Sequence, residues 1–142
     1  MATYVVDASV VTEYLVMGHY TPNAVAFFQQ VTDEERLIVP EFCLLECTNV
    51  LWKHVRFQGM PVIQAESLLK DLRKLPLKRV PVKAVLPAAL HIGLVHQLAV
   101  YDSAYIALAS RASIPLITLD ERQRQAVIAE GVVLKPITDF TL

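Results

Sequence analysis

The chain has little of several things, and each shortage excludes something. Of its 142 residues only four are glycine and two are cysteine. Two cysteines, Cys43 and Cys47, cannot build a framework of bridges. Four apart in CLLEC, they read as small buried hydrophobes on one helix face, with no further soft ligands nearby for a metal. No Gly/Ser linker, repeat or low-complexity tract interrupts the chain, and the eight prolines fall at element edges, so one domain spanning 1–142 is expected. The longest uncharged stretch, Ala84 to Tyr101, contains Pro87, His91, Gly93, His96 and Gln97. A membrane span needs about 20 predominantly apolar residues, so this stretch reads as a core helix. The N-terminus, MATYVVD, lacks the basic region of a signal peptide and enters a strand at once, which points to the cytoplasm. A net charge of −1 gives no overall basic signature for nucleic acid. Walker A and GxGxxG loops are both missing. The four histidines are scattered, and His91 and His96, five apart, do not share a helix face.

What is abundant is apolar surface: 54% of residues are hydrophobic. For a chain this short, the surplus suggests a covered face, hence a homodimer or a bound second protein. The helices around Phe27, Phe28, Phe42, Trp52 and Phe57 are candidates to supply it, although core packing is the default for each ring.

The apolar pattern alternates short strands with helices. Strands are expected at 3–6, 37–39, near Arg79 and Val80, at 115–118 and at 132–134. Helices are expected at Ser9–Met17, Pro22–Val31, Glu41–Gln58, Pro61–Lys74, Val85–Leu98, Asp102–Ala112 and Glu121–Glu130, with Gly59 and Gly131 as stops. This predicts an α/β three-layer sandwich: a central parallel sheet of about four or five strands with helices on both faces. Ligands in such folds sit at the carboxyl edge of the sheet.

Acids stand at that edge. Asp7 interrupts YVVDASV just after the first strand, and a carboxylate there is costly to bury unless something pairs with it. Asp120 follows the strand PLIT. Glu46 is placed about two turns into the helix after LIV, on one face with Asn49 and Lys53. Asp102 is placed at the start of the helix DSAYIALAS. Singly, each aspartate is as well explained as an N-cap, and Glu46 as a surface residue paired with Lys53. Together they are harder to dismiss, because converging carboxylates repel one another unless a cation compensates. All-oxygen ligands suit a hard ion, Mg²⁺ or Mn²⁺, and two such ions can promote phosphodiester hydrolysis. The residues alone leave open whether Asp102 joins the set.

Four stretches, VVDASV (5–10), LLECTNVLW (44–52), YDSAYIALA (101–109) and LITLDERQ (116–123), resemble in order and separation those of PIN-domain proteins. At this size the resemblance is to the VapC toxins of type II toxin–antitoxin pairs. It implies a metal-dependent endoribonuclease using Mg²⁺ or Mn²⁺, with an RNA substrate and a cognate antitoxin whose tail lies along the toxin and blocks the site. The family's acids fall on Asp7, Glu46, Asp102 and Asp120, and its accompanying polar positions on Ser9, Asn49 and Thr118. Ser103 stands where many relatives have alanine.

With those four acids assigned to a site, 10 of the 14 acidic residues remain against 13 Lys and Arg, a basic remainder. It clusters at 53–56, at 70–74 with Lys78 and Arg79, and at Arg122 and Arg124. Lys53 and Arg122 are the candidates for RNA contact, each lying near a proposed site acid. Other readings fit less well. A receiver domain wants adjacent acids after its first strand, where Ala8 and Ser9 follow Asp7. A haloacid-dehalogenase phosphatase wants a second aspartate at Ser9. A non-catalytic PIN-like binding module, or a housekeeping PIN nuclease without an antitoxin, stays open.

Overall fold

The computed structural model describes residues 2–142. Four parallel strands, β1 (Tyr4–Val6), β2 (Leu37–Pro40), β3 (Lys78–Val80) and β4 (Leu116–Ile117), form a sheet in the order β3-β2-β1-β4. All three residues of β1 are buried, as befits a central strand covered on both faces. β3 is an edge strand carrying exposed Lys78 and Arg79, charges that discourage further pairing. Pro40 ends β2, as its missing N–H requires.

Seven helices connect the strands: α1 (Ala8–Leu15), α2 (Thr21–Gln30), α3 (Cys43–Gln58), α4 (Val62–Lys74), α5 (Leu86–His96), α6 (Val100–Ala112) and α7 (Glu121–Ala129). The chain steps outward from β1 to β2 to β3, then returns past β1 to β4. Right-handed crossovers therefore place α1–α4 on one face and α5–α6 on the other. α1 packs on α2, α3 and α4, while α6 lies across β1, β2 and β4 with α5 against it. The return to β4 creates a topological switch point between β1 and β4, where ligands bind in open α/β sheets.

The core is one cluster reaching from Val5, Val6 and Phe27 through Leu37 and Leu116 to Ile106. Tyr4, Phe27 and Phe140 pack edge to face at 4.8–6.0 Å. Cys43 and Cys47 are free and buried, as expected of small hydrophobes. Gly59 ends α3 at φ +75°, in the left-handed region that spares glycine the Cβ penalty. No single helix among the described residues is long and apolar enough to cross a membrane.

Several expectations shift. The strand at 132–134 is reduced to one parallel bridge, Leu116 with Leu134, because only Leu116 exchanges backbone bonds with that segment. α3 begins at Cys43, which puts Glu46 in its first turn rather than two turns in. α6 begins at Val100, so Asp102 does not open it. Phe27 and Phe28 are buried and supply no partner surface, whereas Trp52 and Phe57 on α3 are exposed and pack against each other at 5.9 Å.

Candidate active site

At the switch point, Asp7 leaves β1 and caps α1, accepting the Ser9 N–H at 3.2 Å. Asp120 leaves the β4 segment and caps α7, accepting the Arg122 N–H at 2.9 Å. Both caps are real, yet each carboxylate has lone pairs to spare, so capping and ligation are compatible. Asp102 caps nothing. The N-cap of α6 is Ala99, and the Asp102 side chain makes no hydrogen bond within its own helix turn. The capping explanation therefore fails for the acid whose membership in the set the residues alone left open.

The four acids converge on one open cleft of about 670 Å³. It is lined by Asp7, Glu46, Asp102 and Asp120, together with Ser9, Thr12, Asn49, Lys53, Phe42 and Tyr101. The Glu46, Asn49 and Lys53 face of α3 forms one wall, as its helical spacing predicts. Ser9 and Thr118 tie the two strand ends together. Both hydroxyls donate to Asp7 Oδ2, Thr118 at 3.0 Å. Ser9 Oγ accepts the Leu119 N–H at 2.9 Å, and Thr118 Oγ1 accepts the Asp120 N–H at 3.0 Å. Asn49 lines the cleft without a side-chain hydrogen bond of its own. Ser103, the departure from the family pattern, is buried. Its hydroxyl donates to the Ala99 carbonyl at 3.0 Å, away from the acids.

Four side chains at the site escaped the sequence. The Tyr105 hydroxyl donates to Glu46 Oε1 at 2.7 Å, from α6 to α3. Phe42 and Tyr101 meet edge to face at 5.2 Å along the rim. Gln123, in the first turn of α7, is 1% exposed and points its amide nitrogen at Asp7 Oδ1, 3.5 Å away. For Tyr105 and Phe42, the only signal was an aromatic inside one quoted stretch or just before another, which core packing explains equally well.

The electrostatics are those of crowded acids. Burial raises the Asp7 carboxyl above its ordinary value, against the pull of hydrogen bonds from Ser9, Thr118 and Gln123. Glu46 is pushed up to about 7, chiefly by burial, opposed by the Tyr105 bond and reinforced by the charges of Asp7 and Asp102. Asp102 is raised by burial and then by Asp7 and Asp120. Asp120 alone is lowered, because the Arg122 guanidinium donates to it at 2.8 and 3.1 Å. The same guanidinium lies 4.0 Å from Asp102.

The donor set fits a hard divalent cation. Every candidate ligand is an oxygen, and three of the four carboxylates are held above their ordinary values by their surroundings, a strain that a cation relieves. Among the described residues no three acidic, histidine or cysteine side chains yet close around one point, and Arg122 partly fills the role of counter-charge.

The PIN domain family model matches residues 4–128. This chain belongs to the PIN domain family. Among PIN relatives, it is 32% identical over 120 residues to Ribonuclease VapC3 of Pyrobaculum aerophilum, covering 83% of this chain and 89% of that one. The PIN fold is shared with the crystal structure of PAE2754 from Pyrobaculum aerophilum. There the TM-score is 0.70 at 22% identity, over 97% of this chain and 85% of the other. It is shared also with a toxin–antitoxin complex from Klebsiella pneumoniae, at a TM-score of 0.56 and 12% identity, over 83% and 87% of the two chains.

Proposed function

We propose that this PIN protein is a metal-dependent endoribonuclease of the VapC type, the toxin of a toxin–antitoxin pair. The observation that carries the reading is the convergence of Asp7, Glu46, Asp102 and Asp120 on one cleft at the switch point. The likeness to a ribonuclease over most of both chains supports it. Asp7, Glu46 and Asp102 would hold a Mg²⁺ or Mn²⁺ ion, with Asp120 completing the set or helping with a second. When bound, such an ion supplies Lewis acidity toward the phosphodiester and its attacking water. Ser9 and Thr118 fix the Asp7 carboxylate, and Tyr105 fixes Glu46. Lys53, on the wall of the cleft, meets a phosphate flanking the cut. Arg122 is 76% exposed at its side chain and is free to turn from Asp120 toward the RNA backbone.

The antitoxin follows from the surface as well as from the likeness. Leu51, Trp52, Val55, Val62, Ala65 and Leu69 form an apolar groove between α3 and α4. α3 separates that groove from the cleft, presenting Leu51, Trp52 and Val55 to one and Glu46, Asn49 and Lys53 to the other. An amphipathic segment seated in the groove would pass its tail across α3 to reach the site. A second copy of the chain covers another face. Leu86, Leu90 and Leu94 on α5 are 48%, 54% and 73% exposed and share one side of the helix, and nothing on α5 but its histidines is ionisable.

The test is cleavage of structured RNA by purified protein with Mn²⁺, with Mg²⁺ and with chelator, beside Asp102→Asn. Wild type should cut only with metal. The variant should not cut, and its metal-free melting temperature should equal or exceed that of wild type, since a raised carboxyl is replaced by a neutral amide. Equal cutting by both proteins would refute the assignment. A protein that neither cuts nor melts higher with Mn²⁺ would be a binding module instead.

A further inference from the structure

Asp7 divides its two oxygens unequally. Oδ2 takes the Ser9 N–H, the Ser9 hydroxyl and the Thr118 hydroxyl. Oδ1 has one neighbour, the side-chain nitrogen of Gln123 at 3.5 Å. Three donors on one oxygen stop the carboxylate from turning, so Oδ1 is the atom left to a ligand. Gln123 reaches it from α7, the helix that Asp120 caps. One buried amide, on the helix capped by the acid after β4, thus reaches the acid after β1. Its orientation is dictated by chemistry: ionised carboxylates only accept, so the NH₂ must face them. That turns Oε1 away, and Oε1 is a buried side-chain oxygen with no hydrogen-bond partner. A glutamine 1% exposed with an orphaned oxygen is poor core material, since leucine or methionine would fill the same space at no polar cost.

We infer that Gln123 is a positioning residue of the site: from the helix that Asp120 caps, its amide donates to Asp7 Oδ1 and holds that carboxylate in place for the cation, while its Oε1 accepts from an ordered water. This rests on the reading of the cleft as a cation site. It differs from that reading in naming a neutral residue that touches neither RNA nor cation and acts through Asp7. The extra hydrogen bond strengthens Asp7 without adding a fifth negative charge, which a glutamate at 123 would do.

The experiment is a calorimetric Mn²⁺ titration of metal-free wild type, Asp7→Asn, Gln123→Leu and Gln123→Met, with melting temperatures for each. Wild type should bind and Asp7→Asn should not. Both Gln123 variants should fold with melting temperatures at or above wild type, because the orphaned oxygen is gone. They should bind Mn²⁺ about tenfold or more weakly, the range for a residue that orients a metal ligand. On RNA, kcat should fall with KM unchanged. Folded Gln123 variants whose Mn²⁺ affinity lies within about twofold of wild type, beside an Asp7→Asn that has lost binding, would overturn this inference and leave the cation site standing. Unfolding of both Gln123 variants would make the residue structural and overturn it too. A wild type that takes up no Mn²⁺, or an Asp7→Asn that binds equally well, would overturn the cation site and this inference with it.

Discussion

Glu46 shows how much of this site is decided by surroundings rather than by residue type. On an exposed helix face it would be an ordinary glutamate. Here burial, then the charges of Asp7 and Asp102, push its carboxyl up to about 7, although Tyr105 donates a hydrogen bond that favours the ionised form. The consequence for stability has a definite sign. In the unfolded chain Glu46 takes up its proton near the ordinary value, and in the folded protein near 7. Between the two the folded state holds more protons, so stability is full below the unfolded value and is lost as pH rises through 7. Asp7 and Asp102, also raised, add to the same trend. The metal-free protein should therefore melt at a lower temperature at pH 7.5 than at pH 5. Glu46→Gln should flatten that slope, and saturating Mn²⁺ should abolish it. A melting temperature that rises across this window in the metal-free protein would contradict the burial and crowding of these acids. None of this was legible from Glu46 alone. Its spacing with Asn49 and Lys53 named the helix face correctly, but its neighbour Tyr105 lies 59 residues away, and Gln123 reaches Asp7 across 116. Local pattern carries no information about such pairs.

α6 is the element on which the site depends most. Every residue from Ser103 to Ala109 is buried, and three of those seven are alanines. Small residues let the helix lie close across β1, β2 and β4, and that closeness brings Asp102 and Tyr105, one turn apart, to the edge where Asp7 and Glu46 stand. Its existence was readable from the apolar run in YDSAYIALA. Its start was not, because an aspartate before an apolar run looks like an N-cap, and the true cap, Ala99, has no side-chain oxygen to announce itself. The strand expected at 132–134 shrank to a single bridge for a related reason. VVL has strand propensity, but Val133 is 65% exposed and only Leu116 pairs there, a fact of tertiary geometry. Ala107→Leu tests the close packing of α6. A larger side chain at a position 2% exposed should cost about 1–3 kcal/mol in denaturant unfolding, and lifting the helix should also blunt the Mn²⁺ shift in melting temperature. A neutral effect on both would mean that the helix has room to spare.

At the scale of the whole molecule, an apolar surplus that looked like a general property of the composition resolves into separate places. The aromatic pair Phe27–Phe28 is core, while the exposed apolar side chains gather on α3 with α4 and on α5. Composition suggested a covered face but not which one, because burial is set by the order of strands and helices and not by the number of apolar residues. The two faces make separable predictions. α5 presents Leu86, Leu90 and Leu94 in a row without charge, which suits an identical row on a second copy, since a two-fold contact must be complementary to itself. The α3–α4 groove includes Glu66 at its edge and lies across α3 from the cleft, which suits a different chain. Leu90→Glu with Leu94→Glu should therefore place like charges opposite each other across the two-fold and convert a dimer to a monomer, read by light scattering on a sizing column. The Mn²⁺ shift in melting temperature should survive, because neither leucine lines the cleft. Trp52→Glu should leave the dimer intact, as it lies in the groove and not on α5. A wild type already monomeric at micromolar concentration would overturn the dimer, and a dimer indifferent to both leucine changes but broken by Trp52→Glu would move the self-association surface from α5 to α3.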